Sequence, residues 1–163
     1  MQSGPQTAVT EAMVEAVLAR FEDRDGPLLP ALHAVQQAFG HIPRSATAPV
    51  ATRFNLSRAE VRGVISFYHE FRETPPGRHV LQLCRAEACQ SVGAVALARE
   101  VLAQLGIAWG ETTADGSLTL EPVFCLGLCA CGPAALLDGE PLGRLTATRL
   151  TEIAAACARE EAS

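Results

Sequence analysis

The apolar positions of the chain change period near its middle. Up to about residue 75 they recur at helical spacing; beyond it they form short runs separated by turns. In the first half, Met13, Val14, Val17, Leu18 and Phe21 fall on one helical face, and Thr10 before Glu11 is a start signal. The acidic, Gly- and Pro-containing stretch 22–27 ends that helix. A second opens near Pro30, a residue suited to a first turn, turns Leu32, Val35 and Phe39 inward, and stops at Gly40. A third is expected over Thr47–Asn55. The fourth has the sharpest start: Ser57 and Glu60 form a capping box, with Leu56 and Val61 as its hydrophobic staple. It carries Val61, Val64, Ile65 and Tyr68, and the region 70–77 ends it. Pro75-Pro76-Gly77 is the strongest boundary signal, which divides the chain into 1–75 and 76–163.

In the second half, His79–Cys84 alternates as a strand does. Ala88–Leu105 reads as one helix, with Val92, Val95, Leu102 and Leu105 on or near one face and Gly106 as its stop. Asp115-Gly116 marks a tight turn before a strand over Leu118–Phe124. Ala134–Leu137, Asp138-Gly139 and Leu142–Leu145 read as a hairpin. A last helix starts at Thr146 or Thr148 and runs through Ile153. Strand, helix, strand, hairpin and helix in that order give a small thioredoxin-like α/β sandwich. The whole is an α+β chain, a small helical bundle followed by that domain.

Composition narrows the chemistry. The 163 residues carry a net charge of -5, which argues against generic nucleic-acid binding. All 13 basic residues are Arg, as codon bias in a GC-rich bacterial genome would give. The first basic residue is Arg20, so no signal peptide is expected. No apolar run approaches a membrane span, and the expected location is cytoplasmic. In that reducing compartment six cysteines suit metal binding or catalysis better than disulfides.

Five of them fall in two loops: Cys84 and Cys89, then Cys125, Cys129 and Cys131. Four thiolates can hold zinc or an iron–sulfur cluster. Zinc knuckles are usually C-x2-C. The wider C-x4-C and C-x3-C spacings suit two irons held by separate pairs, but they leave zinc open. No C-x-x-C exists for a thioredoxin-style dithiol. Spacing also leaves open whether Cys129 or Cys131 completes the second pair. Cys157, after Ala154–Ala156, reads as a buried small hydrophobe.

The rest of the polar inventory is thin. His33, His41, His69 and His79 lack partners at ligand spacing and read as surface or capping residues. Arg85, beside Cys84, is either a solvated surface residue or a cation near the metal. Phe67, Tyr68 and Phe71 suggest an interdomain or partner-facing patch. No Gly-rich dinucleotide motif is present, so NAD and flavin would bind elsewhere.

Gly40-His41-Ile42-Pro43, Gly63-Val64-Ile65-Ser66-Phe67-Tyr68, Gly77-Arg78-His79-Val80 and Cys125-Leu126-Gly127-Leu128-Cys129 occur here in a familiar order. With these motifs the chain resembles the thioredoxin-like [2Fe–2S] subunits of NADH-dehydrogenase modules, over about residues 10–155. These serve respiratory complex I, NAD-linked hydrogenases and molybdenum-containing formate dehydrogenases. The resemblance implies a [2Fe–2S] cluster on Cys84, Cys89, Cys125 and Cys129, with Cys131 a neighbour. It implies electron transfer to a larger flavoprotein with FMN and NAD sites, and a docking role for residues 1–75. It also puts Pro133 where thioredoxin folds often carry a cis-proline. The loops Cys84–Cys89 and Cys125–Pro133 look most like the gamma subunit of soluble NAD-linked formate dehydrogenase, which implies a molybdenum-containing formate-oxidising partner as well. A free-standing ferredoxin and a structural four-cysteine zinc module are the rival expectations.

Overall fold

The computed structural model describes residues 9–22 and 24–160. The chain divides into two compact units, Met1–Pro75 and Pro76–Ser163.

The first unit contains α1 (Glu11–Leu18), α2 (Leu28–Phe39), α3 (Thr47–Arg53) and α4 (Arg58–Phe67). Each boundary has a local cause. The Thr10 hydroxyl accepts from the Met13 N–H, and Gly40 closes α2 at φ 76°. At α4 the capping box is complete: the Ser57 hydroxyl accepts from the Glu60 N–H while the Glu60 carboxylate accepts from the Ser57 N–H. That bond is also why the Glu60 carboxyl titrates below its usual range. Helix α3 stops at Arg53, earlier than its apolar pattern suggests, because Asn55 turns left-handed at φ 52°. Met13 is exposed, whereas Val14, Leu18, Leu32, Val35, Val50, Val61 and Ile65 form the core.

Phe71 belongs to that core, which corrects its placement in an exposed aromatic patch. The reason is Gln36. Its amide donates to the Glu70 carbonyl at 2.7 Å, and its side-chain oxygen accepts from the Arg72 N–H at 2.7 Å. The segment after α4 is thereby pulled inward, and Phe71 meets the His33 ring at 4.9 Å between centroids.

The second unit is built on a four-stranded sheet in the order β2-β1-β3-β4, from β1 (His79–Cys84), β2 (Leu118–Val123), β3 (Ala135–Leu137) and β4 (Glu140–Leu142). β1 runs parallel to β2 and antiparallel to β3, and β3 pairs antiparallel with β4. Leu81, Leu83, Leu118 and Leu120 are fully buried in one cluster with side chains of α6 (Ala94–Leu105) and α7 (Ala147–Arg159). Each such burial contributes about 1.5–3 kcal/mol. The order strand, helix, strand, hairpin, helix agrees with the sequence reading.

Two details differ. The expected helix 88–105 is broken into α5 (Glu87–Ser91) and α6, because Gly93 turns left-handed at φ 97°. The break rotates Val92 and Val95 to the surface and turns Leu97, Ala98 and Val101 inward. The hairpin is also tighter than expected. Asp138 and Gly139 both have positive φ, so a two-residue turn starts β4 at Glu140 rather than at Leu142.

Candidate metal centre

All five loop cysteines lie at one end of this sheet. Cys84 is the last residue of β1, and the backbone there is clamped on both sides. The Cys84 N–H donates to the Ala134 carbonyl at 2.9 Å, and the Arg85 N–H to the Val123 carbonyl at 2.7 Å. The chain then turns through Ala86 into α5, which carries Cys89, while the Gln90 side chain donates to the Arg85 carbonyl at 2.7 Å and closes the loop. Cys125 follows β2, and Cys129 opens a 3-10 turn, Cys129–Cys131.

Cys84 and Cys89 are buried, at 2% relative exposure each, in a small cluster with Ala94 and Ala134. Cys125 and Cys129 are exposed. The polar surroundings of the buried pair are backbone groups aimed at sulfur. Burial pushes the Cys84 thiol up. The N–H groups of Ala86, Leu126 and Cys125, together with a hydrogen bond from Cys89, outweigh it, and the net direction is down. Cys89 goes up, from burial first and the bond with Cys84 second, although the Ala134 N–H favours its thiolate. Three N–H donors on one sulfur and one on the other suit an anionic, metal-bearing thiolate pair.

The Cys125 backbone explains how two of those donors arrive. It has φ 114°, a conformation that costs a non-Gly residue of order 1–3 kcal/mol. The turn presents the N–H groups of Cys125 and Leu126 to the Cys84 sulfur. Gly127, at φ 75°, completes the reversal. Close approach is equally evident at Gly132, where a Cβ would stand 3.4 Å from the Cys89 sulfur and 3.1 Å from Val92. The peptide bond Gly132–Pro133 is cis, at the position the sequence resemblance implied.

Spacing alone left Cys129 and Cys131 as alternatives. Repulsion from Cys129 is among the influences that raise Cys89. The Cys131 side chain lies instead against Gly143, whose added Cβ would be 3.3 Å from the Cys131 sulfur. Cys157 is buried among apolar side chains of the sheet core, and burial raises its thiol. Among the described residues, no three His, Cys, Asp or Glu side chains are gathered closely enough to hold a single metal ion. The donor chemistry fits an iron–sulfur group: thiols in two loops, backbone N–H groups directed at sulfur, and a glycine where a side chain would crowd it.

The sequence model of the thioredoxin-like [2Fe–2S] ferredoxin family matches residues 14–158. The chain belongs to that family. Its cofactor is a [2Fe–2S] cluster. The E 2 subunit of the NADH-quinone oxidoreductase of Rhizobium meliloti is 39% identical over 137 residues, covering 84% of this chain and 82% of that protein. The corresponding E subunit of the Escherichia coli NADH-quinone oxidoreductase is 31% identical, covering 90% of this chain and 89% of that one. The HndA subunit of the NADP-reducing hydrogenase of Solidesulfovibrio fructosivorans is 31% identical, covering 81% and 77%. Among solved structures, a NAD+-reducing [NiFe]-hydrogenase in the air-oxidized state matches with TM-score 0.67 and 34% identity. That match covers 82% of this chain, which spans 23% of the hydrogenase chain.

Several roles in this unit are not evident from residue type. Ala86 and Ala134 act through backbone N–H groups, which leave no trace in residue type. His79 is not a simple surface residue: Nδ1 meets Asp138 at 2.7 Å and Nε2 meets Glu160 at 3.0 Å. Gly143 supports the Cys131 turn, and a glycine outside any turn motif was the available signal. Arg85 lies over the Trp109 ring, 5.1 Å from its centroid. Among the described residues, no helix is long and apolar enough to cross a membrane.

Proposed function

We propose that the chain is the electron-transfer subunit of an NAD-linked oxidoreductase complex, with Cys84, Cys89, Cys125 and Cys129 as the cluster thiolates. The observation that carries this reading is the set of backbone N–H groups on the Cys84 and Cys89 sulfurs. When bound, a [2Fe–2S] cluster accepts and returns one electron at a time. The protein's part is to hold the added negative charge. The N–H groups of Ala86, Cys125 and Leu126 do so at Cys84, and that of Ala134 at Cys89. Burial of this first pair keeps water from it, whereas the exposed Cys125 and Cys129 give electrons a short route to a partner.

The partner in this reading is a larger flavoprotein with FMN and NAD sites, which performs the hydride chemistry. Residues 1–75 serve as docking surface. Support comes from Phe67, 73% exposed, and Tyr68, beside an apolar groove that includes Leu28, Leu56 and Val64. Removing residues 1–75 should abolish pairing and leave the cluster spectrum unchanged; undiminished pairing would refute a docking role for residues 1–75.

For the parent complex we propose a soluble, cytoplasmic NAD-linked formate dehydrogenase with a molybdenum-containing subunit, on the strength of the loops Cys84–Cys89 and Cys125–Pro133. The second reading is the NADH-quinone oxidoreductase or an NAD-linked hydrogenase, which the names of the relatives favour. Gene disruption separates them. Loss of formate-dependent NAD reduction with membrane NADH oxidation intact supports the first. The reverse pattern supports NADH-quinone oxidoreductase, and loss of hydrogen-dependent reduction supports hydrogenase.

A further inference from the structure

Beside the cluster end of the sheet lies a niche of about 250 Å³, lined by Arg85, Val95, Ala98, Arg99, Leu102 and Trp109. Two guanidinium groups, those of Arg85 and Arg99, line this otherwise apolar niche. No ion pair engages Arg85 or Arg99 among the described residues. Arg85 is nonetheless positioned, since its guanidinium lies 5.1 Å above the Trp109 ring. A planar cation held in this way loses little freedom when it pairs with a carboxylate.

Exposed apolar residues that flank the cluster loops in sequence form a collar, and one of them also lines the niche. Among the described residues, the exposed large hydrophobics of this unit are Val92, Val95 and Phe124. All three are close in sequence to a proposed ligand: Val92 and Val95 follow Cys89, and Phe124 precedes Cys125. Val95 belongs to both collar and niche, and Val92 abuts Gly132 next to the Cys89 sulfur. Exposed apolar side chains gathered at one end of a domain mark an interaction surface.

We propose that the niche is a socket for one Asp or Glu side chain of the flavin-bearing partner. The carboxylate would pair with Arg85 and Arg99, while its methylenes pack on Trp109 and Leu102. The collar would seal the contact around the cluster. The inference rests on the flavoprotein reading above and adds the chemistry that sets docking register. Charge complementarity favours a carboxylate, and size favours a single side chain, because small-molecule sites start at roughly 300 Å³.

The sequence supplies a clean test: it contains no Lys, so a single Arg→Lys change introduces the only side-chain amine. The complex is isolated from the native host carrying R99K or R85K and treated with a zero-length carbodiimide. Expected is an amide joining the new amine to one Asp or Glu of the flavin-bearing subunit, absent in the wild type. The double variant R85E/R99E should bind that subunit about tenfold more weakly, and R99E alone, outside the ligand loops, should weaken binding with its cluster absorption unchanged. An intact complex in which neither lysine couples to the flavin-bearing subunit would overturn the socket, as would coupling only to a second copy of this chain. Wild-type affinity in R85E/R99E would overturn it too. A complex that contains no flavin-bearing subunit would instead refute the parent reading, and the socket with it.

Discussion

Gly143 and Cys131 approach so closely that a Cβ on Gly143 would stand 2.9 Å from the Cys131 Cβ and 3.0 Å from its carbonyl oxygen. The same carbonyl accepts from the Arg144 N–H at 2.6 Å. The strand-to-helix connection after β4 therefore braces the 3-10 turn that begins with Cys129. Gly143→Ala must displace backbone rather than a flexible side-chain tip. It is expected to cost about 1–3 kcal/mol and to weaken cluster retention. Gly63→Ala is the opposite case, a helical site with open space around the added methyl, and should gain about 0.5–1 kcal/mol. Thermal unfolding of both variants checks the two signs together.

The proposed assignment separates the thiols into ligands and neighbours. Ser at Cys84, Cys89, Cys125 or Cys129 should cost most of the bound iron or change the visible absorption. Cys131→Ser and Cys157→Ser should leave both unaltered, since one thiol lies against Gly143 and the other in the sheet core. Iron lost from Cys131→Ser and retained in Cys129→Ser would reverse the assignment of the second pair.

How far this was readable in the sequence depends on whether residue type or backbone carried the signal. The capping box of Ser57 and Glu60, the stop at Gly40 and the alternation of β1 are local and act as their patterns suggest. Spacing placed five cysteines in two loops, and only the resemblance implied which four would hold the cluster. Phe71 was misread because its burial depends on Gln36, a contact made across more than thirty residues. Val92 and Val95 were misread because one left-handed glycine, Gly93, resets the helical phase. The N–H groups on the Cys84 sulfur come from the path of the chain at Cys125, which no pattern of side chains announces.

His79 gives the molecule a pH-dependent tie at the opposite end of β1. Its pKa is raised above 6.5, chiefly by the hydrogen bond with Asp138, with Glu160 adding to the effect. A raised folded-state pKa means the stabilisation is fully present below the unfolded value and is lost as pH rises through the folded one. Stability should therefore fall as the pH is raised from about 6 through the range in which the folded protein's His79 loses its proton. Asp138→Asn should flatten that slope. Urea unfolding of both proteins across the range measures it, and equal slopes would remove His79 from the explanation.

The most direct test of the central claim is metal and sulfide analysis of protein isolated anaerobically from its native source. The account predicts two irons and two acid-labile sulfides per chain, and an axial or rhombic EPR signal that is present only after reduction. Stoichiometric zinc without sulfide would contradict it.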